Sequence, residues 1–295
     1  MRDDGEVTPR LSREAAIVEY YRIAGDDYAH WSPELHMHFG YCRRGAWPWQ
    51  RGPMLRALTS AVHRELALAP EQRGCVADLG CGVGSSAREL ARMHERLELL
   101  GVTLVPEQVE RGRALTRAAG LDARVRLCVA DYRTLPLPDA ALVGAYAIES
   151  CCYDPSGGKA LIREAARCLR PGARLVVADA FRRHAGPLPR HAARCLRGMS
   201  EGWVLPGLAA LDEFAAALRE AGFVEIAITD ISWRVAPSLL HVPLAVLGFR
   251  LAHRRAPLEP RRRGNLSALL WCLASALLAP RQFGYFIVAA TRGPN

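Results

Sequence analysis

Between residues 75 and 181 the chain alternates short, wholly apolar runs with segments whose apolar residues recur every three or four positions. The runs CVADLG, LELLGVTL, VRLCVAD, LVGAYAIE and ARLVVADAF lack a polar face, as strands covered on both sides do. Helical spacing at 86–96, 106–119 and 157–169 separates most of them, so the pattern predicts a parallel sheet with helices on both faces. Further helices are expected over 14–23, over 53–68 with Pro53 at a helix start, near 190–200, and over LDEFAAALREAGF. Two late strands, VEIAITDIS and GYFIVAAT, flank an insertion at about 237–282. It holds two apolar runs with Arg261, Arg262 and Arg263 between them. Neither run reaches the ~20 residues of a membrane span. The expectation is therefore a helical lid over a greasy pocket, with a peripheral membrane contact as one extension and a plainly packed helical pair as the alternative. The division that follows is a charged, aperiodic tail at 1–13 within a cap segment at 1–70, a core at 71–236, the insertion at 237–282 and a last strand at 283–295.

Composition changes this picture little. At 295 residues, 50% apolar and 23% charged, the chain suits one elaborated globular domain. The net charge of +9 rests on arginine, because Lys159 is the only lysine. It suits an anionic substrate or an anionic membrane surface, and a GC-rich coding preference gives the same bias. Basic residues are not interleaved with aromatics in a nucleic-acid module, so nucleic acid is not expected as a partner. The nine cysteines are odd in number and form no C-x-x-C pair or Cys/His metal spacing, so no metal is expected. With a start, MRDDGEV, that holds no apolar signal segment, they read as reduced thiols in the cytoplasm. No feature specifies an oligomer.

The chemistry concentrates at VADLGCGVGSS, where Asp78 is followed by Gly80, Gly82 and Gly84 and then by a helical pattern. Glycines between strand and helix allow positive φ and close approach of a nucleotide to free helix N–H groups. The spacing fits neither the dinucleotide fingerprint nor a P-loop. D-L-G-C-G-V-G resembles the first motif of the Rossmann-like methyltransferases that use S-adenosyl-L-methionine, in which the loop packs against the methionine part of the cofactor. Gly101-Val102-Thr103-Leu104-Val105-Pro106-Glu107-Gln108 resembles the G-V/I-T-L-S-x-x-Q variant of the branch containing cyclopropane fatty acid synthases and the tocopherol, sterol and terpenoid C-methyltransferases. That resemblance assigns Thr103, Leu104 and Gln108 to the cofactor. Asp131-Tyr132, closing the third strand, matches the position where the family sets a carboxylate against the adenine amine. Leu169-Arg170-Pro171-Gly172-Ala173-Arg174-Leu175 resembles the family's turn before the fifth strand, and His36-Met37-His38-Phe39-Gly40-Tyr41 its H-M-H-x-G motif. The resemblance implies a seven-stranded sheet with an N-terminal aromatic cap folding over the cofactor, Tyr28 included.

Methyl transfer from a sulfonium is an in-line displacement in which positioning supplies much of the catalysis. The acceptor still needs a base. Glu149 ends the fourth strand, where open parallel sheets bind ligands, and the resemblance puts an acidic residue there in the acceptor pocket. A Glu that caps a helix or pairs with an arginine is the alternative. His36 and His38 are candidates for a second base. These residues together suggest C-methylation of a small lipophilic acceptor of isoprenoid, sterol or quinol type. O- or N-methylation of a lipophilic natural product is the rival within enzymes. A non-catalytic, methyltransferase-like partner subunit is the rival from another class, and the intact loop, Asp131 and Glu149 argue against it.

Overall fold

The computed structural model describes residues 12–254 and 257–294. The tail expected at 1–13 lies outside the described residues up to residue 11, and its end is ordered: the Ser12 hydroxyl accepts the Ala15 N–H and caps α1 (Arg13–Ala24). α2 (Tyr28–Trp31) and α3 (Arg51–Glu65) follow. Strand and helix then alternate through β1 (Gly74–Leu79), α4 (Ser85–Met93), β2 (Leu97–Thr103), α5 (Pro106–Ala118), β3 (Val125–Val129), β4 (Leu142–Ile148), α6 (Lys159–Cys168) and β5 (Leu169–Arg182). α7 (Arg190–Trp203) and α8 (Leu211–Glu220) lead to β6 (Phe223–Asp230). Three helices, α9 (Ser232–Leu239), α10 (Val242–Ala252) and α11 (Pro260–Leu278), precede β7 (Phe283–Arg292).

The strands form one sheet in the order β3-β2-β1-β4-β5-β7-β6, parallel except for β7, which runs antiparallel to both neighbours. This is the expected seven-stranded, Rossmann-like α/β fold. Both faces are covered, which is why the strands read as unbroken apolar runs. Val76, Val176 and Ile287 join one buried cluster, whereas their neighbours Ala77, Val177 and Val288 join the cluster on the other face. β1 pairs with β2 on one side and β4 on the other, so a crevice opens beyond their carboxyl ends.

Three expectations need correction. The turn predicted at Leu169–Leu175 lies within β5: Leu142 pairs with Leu169 and Gly144 with Arg174, and the extra residues bulge around Pro171 and Gly172. α3, assigned to the cap, packs on β4, β5 and α4 and belongs with the sheet. The insertion begins at Ser232 rather than 237, has three helices, and holds the arginine cluster in the first turn of α11 rather than between two helices. α9 and α10 adjoin, and the 21-residue stretch Ser232–Ala252, of mean hydropathy 1.5, is long and apolar enough to cross a membrane by length and composition. The expected shortfall in length therefore does not hold, although a third of that stretch is buried in the protein.

α11 lies along α7 at backbone distance. A Cβ on Gly202 would stand 2.4 Å from the Gly264 carbonyl oxygen, so only glycine permits this approach.

Candidate active site

Two adjoining cavities occupy the crevice. The smaller, ≈ 100 Å³, lies over the ends of β1, β2 and β4 and is lined by Asp78, Gly80, Gly82, Thr103, Gln108 and Asp131, among others. The larger, ≈ 270 Å³, lies between the sheet and α2, α7, α9, α10 and α11 and is lined mainly by apolar and aromatic side chains. Tyr21, Met37, His38, Glu149 and Tyr153 line both, and so form the wall between them.

The glycine loop floors the smaller cavity. Gly80 and Gly82 take φ of +87° and +52°, and a Cβ on Gly82 would come 3.1 Å from Met37 Sδ. Gly84, expected at the cofactor, does not reach the cavity. It starts α4 at φ +76°, where a Cβ would press on Leu127 at 3.0 Å, so its role is packing. Asp78 is buried, and among the described residues its Oδ2 has no hydrogen-bond partner. Burial pushes its pKa up to about 7. An orphaned carboxylate beside a glycine loop suits a cationic group, such as the amine of a methionine moiety.

Thr103 donates its hydroxyl to Gln108 Oε1 at 2.7 Å, which leaves the Gln108 amide N–H groups toward Met37 and the cavity. Leu104 lines the wall beside them. Asp131 is not free to await an amine: both its oxygens accept from Arg133, at 2.6 to 3.0 Å, and Arg133 also donates to Glu14 at 2.8 Å. An adenine amine there would share this carboxylate with the guanidinium. Tyr132 lines the cavity, with its hydroxyl donating to the Ser150 carbonyl at 3.0 Å.

Glu149 leaves β4 in the left-handed region, φ +48°, a conformation rare for a residue with a side chain. Its Oε1 accepts the Phe39 N–H at 2.7 Å and the Tyr285 hydroxyl at 2.8 Å. Among the described residues no donor meets Oε2, and no arginine pairs with the carboxyl. Burial, reinforced by the nearby Asp179, pushes its pKa up to about 8. The Phe39 contact ties the HMHFGY segment directly to this carboxyl.

The histidines do not fit the role of second base. His38 lines both cavities, but its Nδ1–H donates to the Phe39 carbonyl at 2.7 Å and its Nε2 faces Thr59 at 3.4 Å. Burial drives its pKa down to about 3, so the ring stays neutral with its one proton on Nδ1 and is too weak a base to take up a second at physiological pH. His36 lines only the smaller cavity and sends Nε2 toward Glu89 at 3.1 Å and Glu34 at 3.4 Å. These three groups converge as metal ligands would, yet Arg56 on Glu34 makes them an ion-pair network that pins the segment to α4. Tyr28 is also displaced from its expected place. It lines the larger cavity, hydrogen-bonded to Tyr20 at 3.2 Å, and Trp31 and Phe39 line that cavity too.

The sequence reading missed three groups. Asp179, inside the apolar β5, lines the larger cavity and accepts from the Cys152 and Ala180 N–H groups, with its pKa pushed up to about 6 by burial. A lone acid within an apolar strand was its visible signal. Tyr285 from β7 is reached only through a long-range contact, whereas Arg133 stands two residues after Asp131 and only its second partner, Glu14, is distant in sequence.

Residues 76–172 match the family model for a methyltransferase domain. The chain is 33% identical over 227 residues to the O-methyltransferase cnsE of Penicillium expansum, covering 76% of this chain and 74% of that one. It is 31% identical over 199 residues to 24-methylenesterol C-methyltransferase 2 of Oryza sativa subsp. japonica, covering 63% and 54%. The structure superposes on geranyl diphosphate C-methyltransferase of Streptomyces coelicolor A3(2), in complex with Mg2+, geranyl diphosphate and S-adenosyl-L-homocysteine, with TM-score 0.68 and 19% identity, covering 97% of this chain and 100% of that one. The glycine loop, the strand order and these matches agree: the chain belongs to the class I S-adenosylmethionine-dependent methyltransferases.

Proposed function

We propose that the chain methylates a carbon atom of a small, lipophilic, uncharged acceptor held in the larger cavity, with Glu149 as the base. The observation that carries this reading is the position of Glu149, a half-buried carboxyl on the wall common to both cavities with one oxygen fixed and the other open. Asp78, Gly80, Gly82, Thr103, Gln108 and Asp131 would hold the cofactor, which supplies an electrophilic methyl group when bound. In its ionised form Glu149 would receive at Oε2 the proton that the acceptor must lose, and a pKa of about 8 makes that carboxylate a strong base which is populated increasingly as pH rises toward 8.

The charge of the larger cavity supports an uncharged acceptor. Among the described residues Arg183 is its only lining arginine or lysine, and that guanidinium is taken up by Asp230 at 2.6 Å and by the Pro280 and Phe283 carbonyls. Asp27, Glu149 and Asp179 line the same space. Carboxylates among aromatic faces favour positive charge developing on the acceptor and disfavour an anionic headgroup such as a diphosphate. The anionic substrate suggested by net charge is therefore set aside.

The sterol C-methyltransferase relative supports carbon as the target. Oxygen is the second reading, favoured by the O-methyltransferase relative, since a carboxylate that takes a hydroxyl proton is equally well placed. Glu149→Gln separates them. Cofactor binding should survive with at most a modest loss, from removal of a carboxylate near a cation, while turnover falls roughly 10²- to 10⁴-fold, the usual contribution of a general base. Carbon methylation would then yield rearranged alkene or alcohol products, whereas oxygen methylation would yield the same ether slowly. A folded Glu149→Gln protein working at the parental rate would remove Glu149 from the chemistry.

A further inference from the structure

The helices that roof the larger cavity have a second, outward face. On α9 and α10 the inner residues Leu239, Ala245 and Phe249 line the cavity. Opposite them Leu240, Leu244, Leu247 and Leu251, spaced by four, three and four residues, are 50 to 62% exposed. That spacing puts four leucines on one stripe facing water. Trp233, 86% exposed, also lines the cavity and so marks its mouth on the same helices.

A neighbouring loop extends the surface. The His241 ring donates to the Pro48 carbonyl at 2.8 Å and lies 6.1 Å from the Trp49 ring, which fixes Trp47 and Trp49, 65% and 53% exposed, beside α10. The charge here has one sign. Among the described residues from Ile231 to Leu258 there are three arginines, Arg234, Arg250 and Arg254, and no Asp or Glu, and the loop adds exposed Arg43 and Arg44.

We infer that this face rests on an anionic lipid bilayer, with the leucine stripe at the acyl boundary and the tryptophans and arginines among the headgroups. The composition matches an interfacial helix, in which leucine and tryptophan enter the bilayer edge while arginine stems reach back to phosphate. The helix lies in the plane of the membrane, because its inner side is occupied by the cavity it roofs. An exposed leucine stripe on a segment whose described charged residues are arginines complements a negative sheet of headgroups. The inference goes beyond the proposed reaction and rests on it only for the lipophilic acceptor, which this docking would admit at Trp233 straight from the bilayer.

Sedimentation of the full chain with phosphatidylcholine/phosphatidylglycerol vesicles, and with phosphatidylcholine alone, tests it without reference to turnover. Binding should favour the anionic vesicles and weaken in high salt. The triple variant Leu244→Ser, Leu247→Ser, Leu251→Ser should lose at least ~tenfold in partitioning, with S-adenosylmethionine affinity by calorimetry unchanged as the control for folding. Should that variant misfold, Leu247→Gln and Arg250→Gln, each expected to weaken binding, carry the comparison. Absence of parental binding to the anionic vesicles, or equal partitioning of folded variants, overturns the inference. A parental dimer in light scattering that the leucine variant dissolves, without vesicle binding, assigns the face to a second copy instead.

Discussion

At Glu149 the backbone takes a left-handed turn that costs on the order of 1–3 kcal/mol for a side-chain-bearing residue, and the hydrogen bonds from Phe39 and Tyr285 hold it there. The side chain is thereby aimed along the cavity wall rather than into the next helix. Gly82 shows the complementary case, a residue whose value is what it lacks. Gly82→Val, at φ +52° and beside Met37, should fill the smaller cavity and abolish binding of S-adenosylmethionine in calorimetry while the melting curve stays cooperative. Normal binding by the folded variant would move the cofactor elsewhere. The loop glycines, Asp78, Thr103, Gln108, Asp131 and Glu149 were legible because each sits at a strand end, where residue type and topology together specify a ligand. The neutral state of His38 and the role of Asp179 were not, since each depends on which groups a distant segment brings near and how much water it removes; Arg133 stands only two residues after Asp131, but the direction of its side chain is not written in that spacing.

The pairing of α7 with α11 decides the shape of the larger cavity, and it depends on Gly198, Gly202 and Gly264 facing the opposite helix. Gly202→Val should push the helices apart and destabilise the protein by ~1–3 kcal/mol, read as a lower midpoint in urea. Affinity for the cofactor should change far less than turnover, because these helices do not line the smaller cavity. Equal losses of both would show that the two cavities are built as one unit. The helices and strands of the sheet could be read directly from apolar periodicity. The insertion could not: its helices are apolar on more than one side, because they face a cavity inward and present leucines outward, so no single polar face marked their ends. The bulge in β5 was hidden for a similar reason, since Pro171-Gly172 signals a turn whether or not the ladder resumes around it.

Taken as a whole, the molecule holds three carboxyls around its cavities, the buried Asp78 and Asp179 and the half-buried Glu149, whose pKa values are raised to about 7, 6 and 8 respectively. Each binds its proton more tightly folded than unfolded, so its contribution to stability is full below the unfolded pKa and is lost as pH rises through the folded one. For Glu149 that window runs from the ordinary glutamate value of 4.5 to about 8. The stability of Glu149→Gln relative to the parent, from urea unfolding at a series of pH values, should therefore increase from pH 5 to pH 8 and level off above. A difference independent of pH would show that the carboxyl is ionised throughout. Such burial is the cost of placing a carboxyl between two cavities, and apolar patterning alone gave no sign of it.

The wall common to the two cavities has one more consequence. Tyr21, Met37, His38, Glu149 and Tyr153 line both sides, so two ligands bound together would share these side chains and be coupled through them. Whatever factor a resident cofactor applies to acceptor affinity, the acceptor must apply to cofactor affinity, by thermodynamic reciprocity. A cationic cofactor in the smaller cavity would lower the proton affinity of Glu149, and its neutral product would not. The same residue would then read the charge of its neighbour and distinguish spent from fresh cofactor, with no second site needed to do so.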